Sequence, residues 1–132
     1  MELTDTFLES GPFAVVGAST NREKFGNKVL RCYIQNDMPV VAINPRAEEI
    51  EGVPCYPDLV SIPASERPRA ISVITPPTIT EAVVADAIEA GVEYIWMQPG
   101  AESAVAIRSA EAAGLTVIAN GPCVLVVLGY RD

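Results

Sequence analysis

Histidine is missing from the entire 132-residue chain. Its absence removes Ser-His-Asp and Cys-His nucleophile–base pairs, any phosphohistidine intermediate and imidazole metal ligation. Cysteine is scarce, with only Cys32, Cys55 and Cys123, odd in number and widely spaced. No CxxC pair exists, so neither a zinc site nor a dithiol redox motif is expected. Free thiols fit a reducing compartment. No apolar run approaches the roughly 20 residues of a membrane span. The opening stretch, 1–10, is polar and acidic, without the basic-then-apolar layout of a secretory signal, so a soluble cytoplasmic protein is expected. Positive charge is also short: 9 basic residues stand against 17 acidic ones, for a net charge of -8. A nucleic-acid binder carries a basic stripe and none is visible, so nucleic acid is not expected as a partner. An anionic ligand would have to be held locally, by backbone N–H groups and a few cations.

What the chain does have is a regular alternation of short apolar runs and amphipathic stretches. Residues 13–17 (FAVVG) read as a buried first strand ending at glycine. From Gly26 a helical period sets in, with Val29 and Tyr33, and Leu30 and Ile34, paired at i,i+4. Residues 39–43 (PVVAI) are the second strand, ended by Asn44-Pro45-Arg46. Residues 47–68 read as irregular, with a turn at Gly52-Val53-Pro54 and a helical turn at 59–62. The third strand is 70–74 (AISVI). A helix follows over about 78–90, burying Ile79, Val83, Val84, Ala87 and Ile88 and capped by Gly91. Residues 92–97 and 115–119 are the fourth and fifth strands, separated by an Ala-rich helix over 102–113 with Ala106, Ala110 and Ala113 inward. The apolar end, 123–128, reads as a sixth short strand. Strand–helix–strand at this spacing predicts one doubly wound α/β domain over residues 1–132, of Rossmann type, with a parallel sheet of five to six strands.

In such a sheet ligands sit at the carboxyl ends of the strands, where the strand order reverses. Four loops leave those ends: Gly17-Ala18-Ser19-Thr20, Asn44-Pro45-Arg46, Thr75-Pro76-Pro77 and Gln98-Pro99-Gly100. The first is a candidate phosphate loop. Gly17 allows a tight turn, small residues allow close approach, and Gly26 opens a helix whose free N–H groups favour an anion. It is neither GxGxxG nor a P-loop. Lys24 and Lys28 flank the helix start. Where NAD-binding domains carry an acidic residue near the end of the second strand, this chain has Arg46. A cation there suits a ribose phosphate, as in coenzyme A or NADP, or it pairs with Glu48 or Glu49. Thr75-Pro76-Pro77 is a rigid corner, poor in donors, suited to wall an adenine or a pantetheine arm.

At these residues the chain resembles the stand-alone CoA-binding domain proteins, which are similar to the N-terminal CoA-binding domain of the succinyl-CoA synthetase α subunit. The resemblance runs from about 12 to 128. Its motifs are VVGAS (15–19), INPR (43–46), EGVPCYPDL (51–59), ITPP (74–77), AIEAGVEYIWMQPGA (87–101) and GPC (121–123). It implies that Gly17, Ala18 and Ser19 wrap a diphosphate. It implies that Asn44, Pro45 and Arg46 lie near the ribose phosphate or adenine, Thr75, Pro76 and Pro77 along the nucleotide, and Gln98 near the pantetheine. The synthetase keeps its catalytic histidine in a second domain and grasps ATP with a partner subunit. This chain has neither, so ligase chemistry is not implied. Stand-alone members often carry charged residues after the final cysteine, whereas residues 124–128 here are wholly apolar.

The expectation is therefore a module that binds coenzyme A or an acyl-CoA as a carrier or sensor, without catalysis. Two other readings remain open. One is an NADP-dependent oxidoreductase, which the Rossmann pattern allows, although no Tyr-xxx-Lys constellation is present. The other is an interaction protein that has lost its ligand, with residues 124–128 joining two copies as a homodimer. Cys123 could also form a mixed disulfide with CoA.

Overall fold

The computed structural model describes residues 2–132; Met1, part of the stretch read as lacking a signal, lies outside them. Seven strands form one sheet: β1 (Phe13–Val16), β2 (Val40–Ile43), β3 (Glu49–Ile50), β4 (Val53–Tyr56), β5 (Ala70–Val73), β6 (Tyr94–Met97) and β7 (Thr116–Ile118). Their order is β3-β4-β2-β1-β5-β6-β7. All neighbours are parallel except β3, which pairs antiparallel with β4. Without β3 this is the doubly wound order 3-2-1-4-5-6, and its reversal falls between β1 and β5.

Helices cover both faces: α1 (Leu3–Leu8), α2 (Phe25–Gln35), α3 (Pro77–Ala90), α4 (Ala104–Ala112) and α5 (Val124–Leu128). The central strands are apolar but for the buried Ser72 of β5, because both faces are covered. Alternation then splits them between two cores. Ala14, Val16, Ile71, Val73, Ile95 and Met97 pack with α3 and α4. Phe13, Val15, Ala70 and Trp96 pack with Phe7 of α1, with Leu30 and Tyr33 of α2 and with Val124 of α5. Trp96 meets Phe7 edge-on at 5.3 Å between ring centroids, a favoured aromatic geometry.

Four expectations are corrected. Residues 123–128 are not a sixth strand. Cys123 caps α5, and Gly129 ends it in the left-handed region at φ 76°. There is thus no apolar edge strand at that end. Residues 47–68 are not all irregular: Glu51 and Gly52, both at positive φ, turn the chain between β3 and β4. On α3 the buried face is Thr80, Val84, Ala87 and Ala90, while Ile79 and Ile88 are exposed. Ala113 lies beyond α4 and is exposed.

Candidate functional site

β1 and β5 pair to their carboxyl ends, and the chain leaves each by a tight loop. Gly17 follows β1 at φ +95°, and a Cβ there would stand 3.0 Å from the Ile74 carbonyl oxygen. Gly26, in the first turn of α2, comes closer still. Its Cβ would meet the Gly17 carbonyl oxygen at 2.1 Å. Two glycines thus let the α2 N-terminus press against the end of β1. The backbone N–H groups of Ala18, Ser19, Phe25 and Gly26 have no hydrogen-bond partner among the described residues. They are the free donors expected where a loop meets a helix start.

Two adjoining cavities open here. One, of about 460 Å³, is lined by Gly17, Ala18, Ser19, Lys24, Phe25 and Gly26 on one side and Asn44, Ile74, Thr75 and Pro76 on the other. The second, of about 560 Å³, shares Gly17, Ala18, Asn44 and Thr75 and extends over Ile43 and Pro45 toward Pro57, Asp58, Ile79, Val83 and Asp86. A smaller hollow of about 240 Å³ continues past Ile74, Thr75 and Pro76 to Pro99, Gly100 and Ala101. The three form one groove along the strand ends, crossing the topological switch.

Asn44 ties two of the loops together. Its Nδ2 donates to the Ala18 carbonyl at 2.8 Å, and its Oδ1 accepts from the Arg46 N–H at 2.8 Å. The groove's hydroxyls and carboxylates are engaged with their own chain. Ser19 Oγ accepts from the Asn21 N–H. The Thr75 and Thr80 hydroxyls are 2.8 Å apart. Asp58 accepts from Ser61, and Asp86 accepts from the Leu59 N–H at 2.8 Å. Cys55 lies behind Asn44, and burial raises its thiol pKa.

The structure therefore brings together Gly17, Ala18, Ser19, Lys24, Gly26, Asn44, Pro45, Thr75 and Pro76. Thr20, Arg46 and Pro77 are exposed beside the groove without lining it. Arg46 forms no ion pair with Glu48 or Glu49 among the described residues. Gln98 is fully buried. Its Oε1 accepts from the Val124 N–H at 2.9 Å, and its Nε2 approaches Ser72 Oγ at 3.5 Å. It works inside the fold, holding the start of α5. Sequence reading missed the outer wall of Pro57, Ile79, Val83 and Asp86. The signal available was the same i,i+4 pairing of Ile79 with Val83, taken as core when it borders a cavity.

Residues 12–129 match the CoA binding domain family. A conserved hypothetical protein of Pyrococcus furiosus superposes with a TM-score of 0.79 at 36% identity, covering 87% of this chain and 97% of that one. The dinucleotide-forming acetyl-coenzyme A synthetase 1 of Ca. Korarchaeum cryptofilum, in its apo form, superposes with a TM-score of 0.73 at 28% identity, over 88% of this chain and 27% of the synthetase. A 50-residue stretch is 42% identical to acetate–CoA ligase (ADP-forming) I of Archaeoglobus fulgidus, amounting to 38% of this chain but 7% of the ligase. With a match over nearly its whole length and a groove at the switch point of the sheet, this chain belongs to the CoA binding domain family.

Proposed function

We propose that this chain binds coenzyme A, free or as an acyl thioester, through its nucleotide part, and acts as a carrier or sensor without a reaction of its own. The observation that carries the reading is the cradle at Gly17 and Gly26. A Cβ at either position would crowd backbone, and the donors between them are free. Such a cradle suits a diphosphate, because oriented N–H groups at a helix start stabilise negative charge without needing a net positive protein. Lys24, at the N-cap of α2, adds one cation beside it.

From that centre the ligand runs both ways. The larger cavity, with Pro45, Ile79 and Val83 as apolar wall, takes the adenosine. Arg46 stands outside it, within reach of a ribose phosphate. The hollow along Thr75, Pro76 and Pro99 takes the pantetheine arm. Pro77 stiffens that corner, and Gln98 supports it from inside. The groove hydroxyls and carboxylates are committed to holding loops, which favours binding over catalysis.

Isothermal titration with CoA, and with NADPH as the paired ligand, tests this. Saturable binding of CoA with none of NADPH is expected. Binding of NADPH alone would replace the proposal with a dinucleotide site. Binding of neither would leave a Rossmann domain that serves another chain.

A further inference from the structure

Behind the phosphate loop lies a polar network that the ligand would not touch. Its centre is Asn27, fully buried on α2. Arg31 Nε donates to Asn27 Oδ1 at 2.7 Å. Because a guanidinium only donates, this fixes the amide and leaves Nδ2 for two acceptors. These are the Ser19 carbonyl at 2.8 Å and Glu51 Oε2 at 3.2 Å. Arg31 Nη2 donates to the Arg22 carbonyl at 2.8 Å. Ser19 and Arg22 are therefore both pinned from the rear.

The consequence follows from peptide planarity. In a trans peptide the C=O and the next N–H point in opposite directions. With the Ser19 carbonyl drawn back to Asn27, the Thr20 N–H is turned the other way. Arg31 is held in its turn. Asp132 Oδ1 lies 3.6 Å from its Nη1, and the Tyr130 ring packs 5.5 Å from its guanidinium carbon. Gln35 clamps the main chain of Arg131 through both its amide atoms. The notch beside Arg31, of about 500 Å³, shares no lining residue with the ligand groove.

We propose that Asn27 and Arg31 are positioning residues that pre-organise the phosphate loop, and that the segment from Tyr130 to Asp132 tunes the loop by docking on Arg31. This rests on the reading that the loop takes the diphosphate of CoA. A preset loop binds more tightly because it is not ordered at the moment of binding.

The test uses Asn27→Asp, Arg31→Met and Asp132→Asn in the full chain. Asn27→Asp loses both donors and sets a carboxylate against Glu51. The expected result is a Kd for CoA raised about tenfold, with Arg31→Met close behind and Asp132→Asn raising it about twofold. Adenosine 3′-phosphate, which has no diphosphate, is expected to bind all variants within about twofold of wild type. Amide hydrogen exchange over residues 21–24, where the Asn21, Glu23 and Lys24 N–H groups are bonded within the loop, is expected to quicken while that of β1 and β5 stays unchanged. Equal weakening of CoA and adenosine 3′-phosphate would overturn the proposal, as would wild-type exchange in this loop. If Asn27→Asp fails to fold, the two milder variants decide. If wild-type protein binds no CoA, the reading of the site fails, and the exchange measurement alone decides whether the network holds the loop.

Discussion

At the scale of single residues, the tightest constraint is Gly26. A methyl there would lie 2.1 Å from the Gly17 carbonyl oxygen, a backbone atom with no side chain to swing aside. Gly26→Ala must push α2 off the end of β1, at a cost of about 1–3 kcal/mol by analogy with overpacking, and is expected to abolish CoA binding. Gly121→Ala is the control, since its Cβ would meet only the Ala119 carbonyl oxygen at 3.8 Å. Urea denaturation and titration of both variants check the contrast. Unchanged stability of Gly26→Ala would mean that the approach of α2 to β1 is not tight. Arg46, exposed and free of ion pairs among the described residues, is expected to act on the ligand alone. Arg46→Ala is expected to leave the melting temperature in place and to weaken CoA binding about fivefold, the worth of one exposed charge contact near 1 kcal/mol. The thiols should divide by burial. Desolvation, reinforced by nearby Cys123, pushes the Cys32 thiol up to about 11, so at pH 8 almost none of it is thiolate. Cys55 is also buried and raised. A colorimetric thiol assay on folded protein at pH 8 is expected to count one fast cysteine, Cys123, and three after denaturation. Three fast thiols in the folded protein would contradict this packing.

At the scale of elements, α5 is the part that sequence reading misassigned, and its attachment is the part most open to test. Two polar contacts hold its start: the buried one from the Val124 N–H to Gln98 Oε1, and the half-buried one from Trp96 Nε1 to the Pro122 carbonyl at 2.9 Å. Gln98→Leu strands the Val124 N–H and is expected to cost about 1–3 kcal/mol, the penalty for an unsatisfied buried group. The fluorescence of Trp96, the sole tryptophan, should shift as α5 loosens. An unchanged melt with unchanged emission would show that α5 is held by its apolar face instead. The misassignment has a physical cause: residues 124–128 (VLVVL) are apolar at every position, so period 2 and period 3.6 fit equally well. Only the flanking Pro122 and Gly129 pointed to a helix. The β3–β4 hairpin was hidden for another reason. β3 is two residues long, and its turn uses Glu51 at φ 51°, a residue with no special claim on the left-handed region. The parallel strands β1, β2, β5, β6 and β7 and α2 were legible because burial on both faces leaves mostly apolar runs, and because Val29 with Tyr33 marks a stripe. The tight loop after β1 was legible through its small residues. Asn27 and Gln98 were not read for what they do, since a buried amide declares its partners only once distant loops have come together.

At the scale of the whole molecule, the proposed function sets a protein of net charge -8 against a polyanionic ligand. On that reading the global field would repel CoA, while Lys24, Arg46 and the free N–H groups would attract it at short range. Salt screens these differently. At about 0.1 M the Debye length is near 10 Å, so distant carboxylates are muted first and close contacts last. In the wild type the two effects oppose each other, and the Kd for CoA is expected to change little between about 20 and 300 mM salt. Lys24→Met combined with Arg46→Met removes the local cations and leaves the repulsion. That variant is expected to bind more weakly at low salt and to tighten as salt is added, the reverse of ordinary anion binding. Titrations at the two salt levels give the sign directly. Binding by the double variant that weakens with salt would mean that other cations hold the phosphates, and Lys28 at the edge of α2 would be the first to examine. A rising affinity would show that the backbone cradle carries the diphosphate by itself, with the acidic surface working against it at a distance.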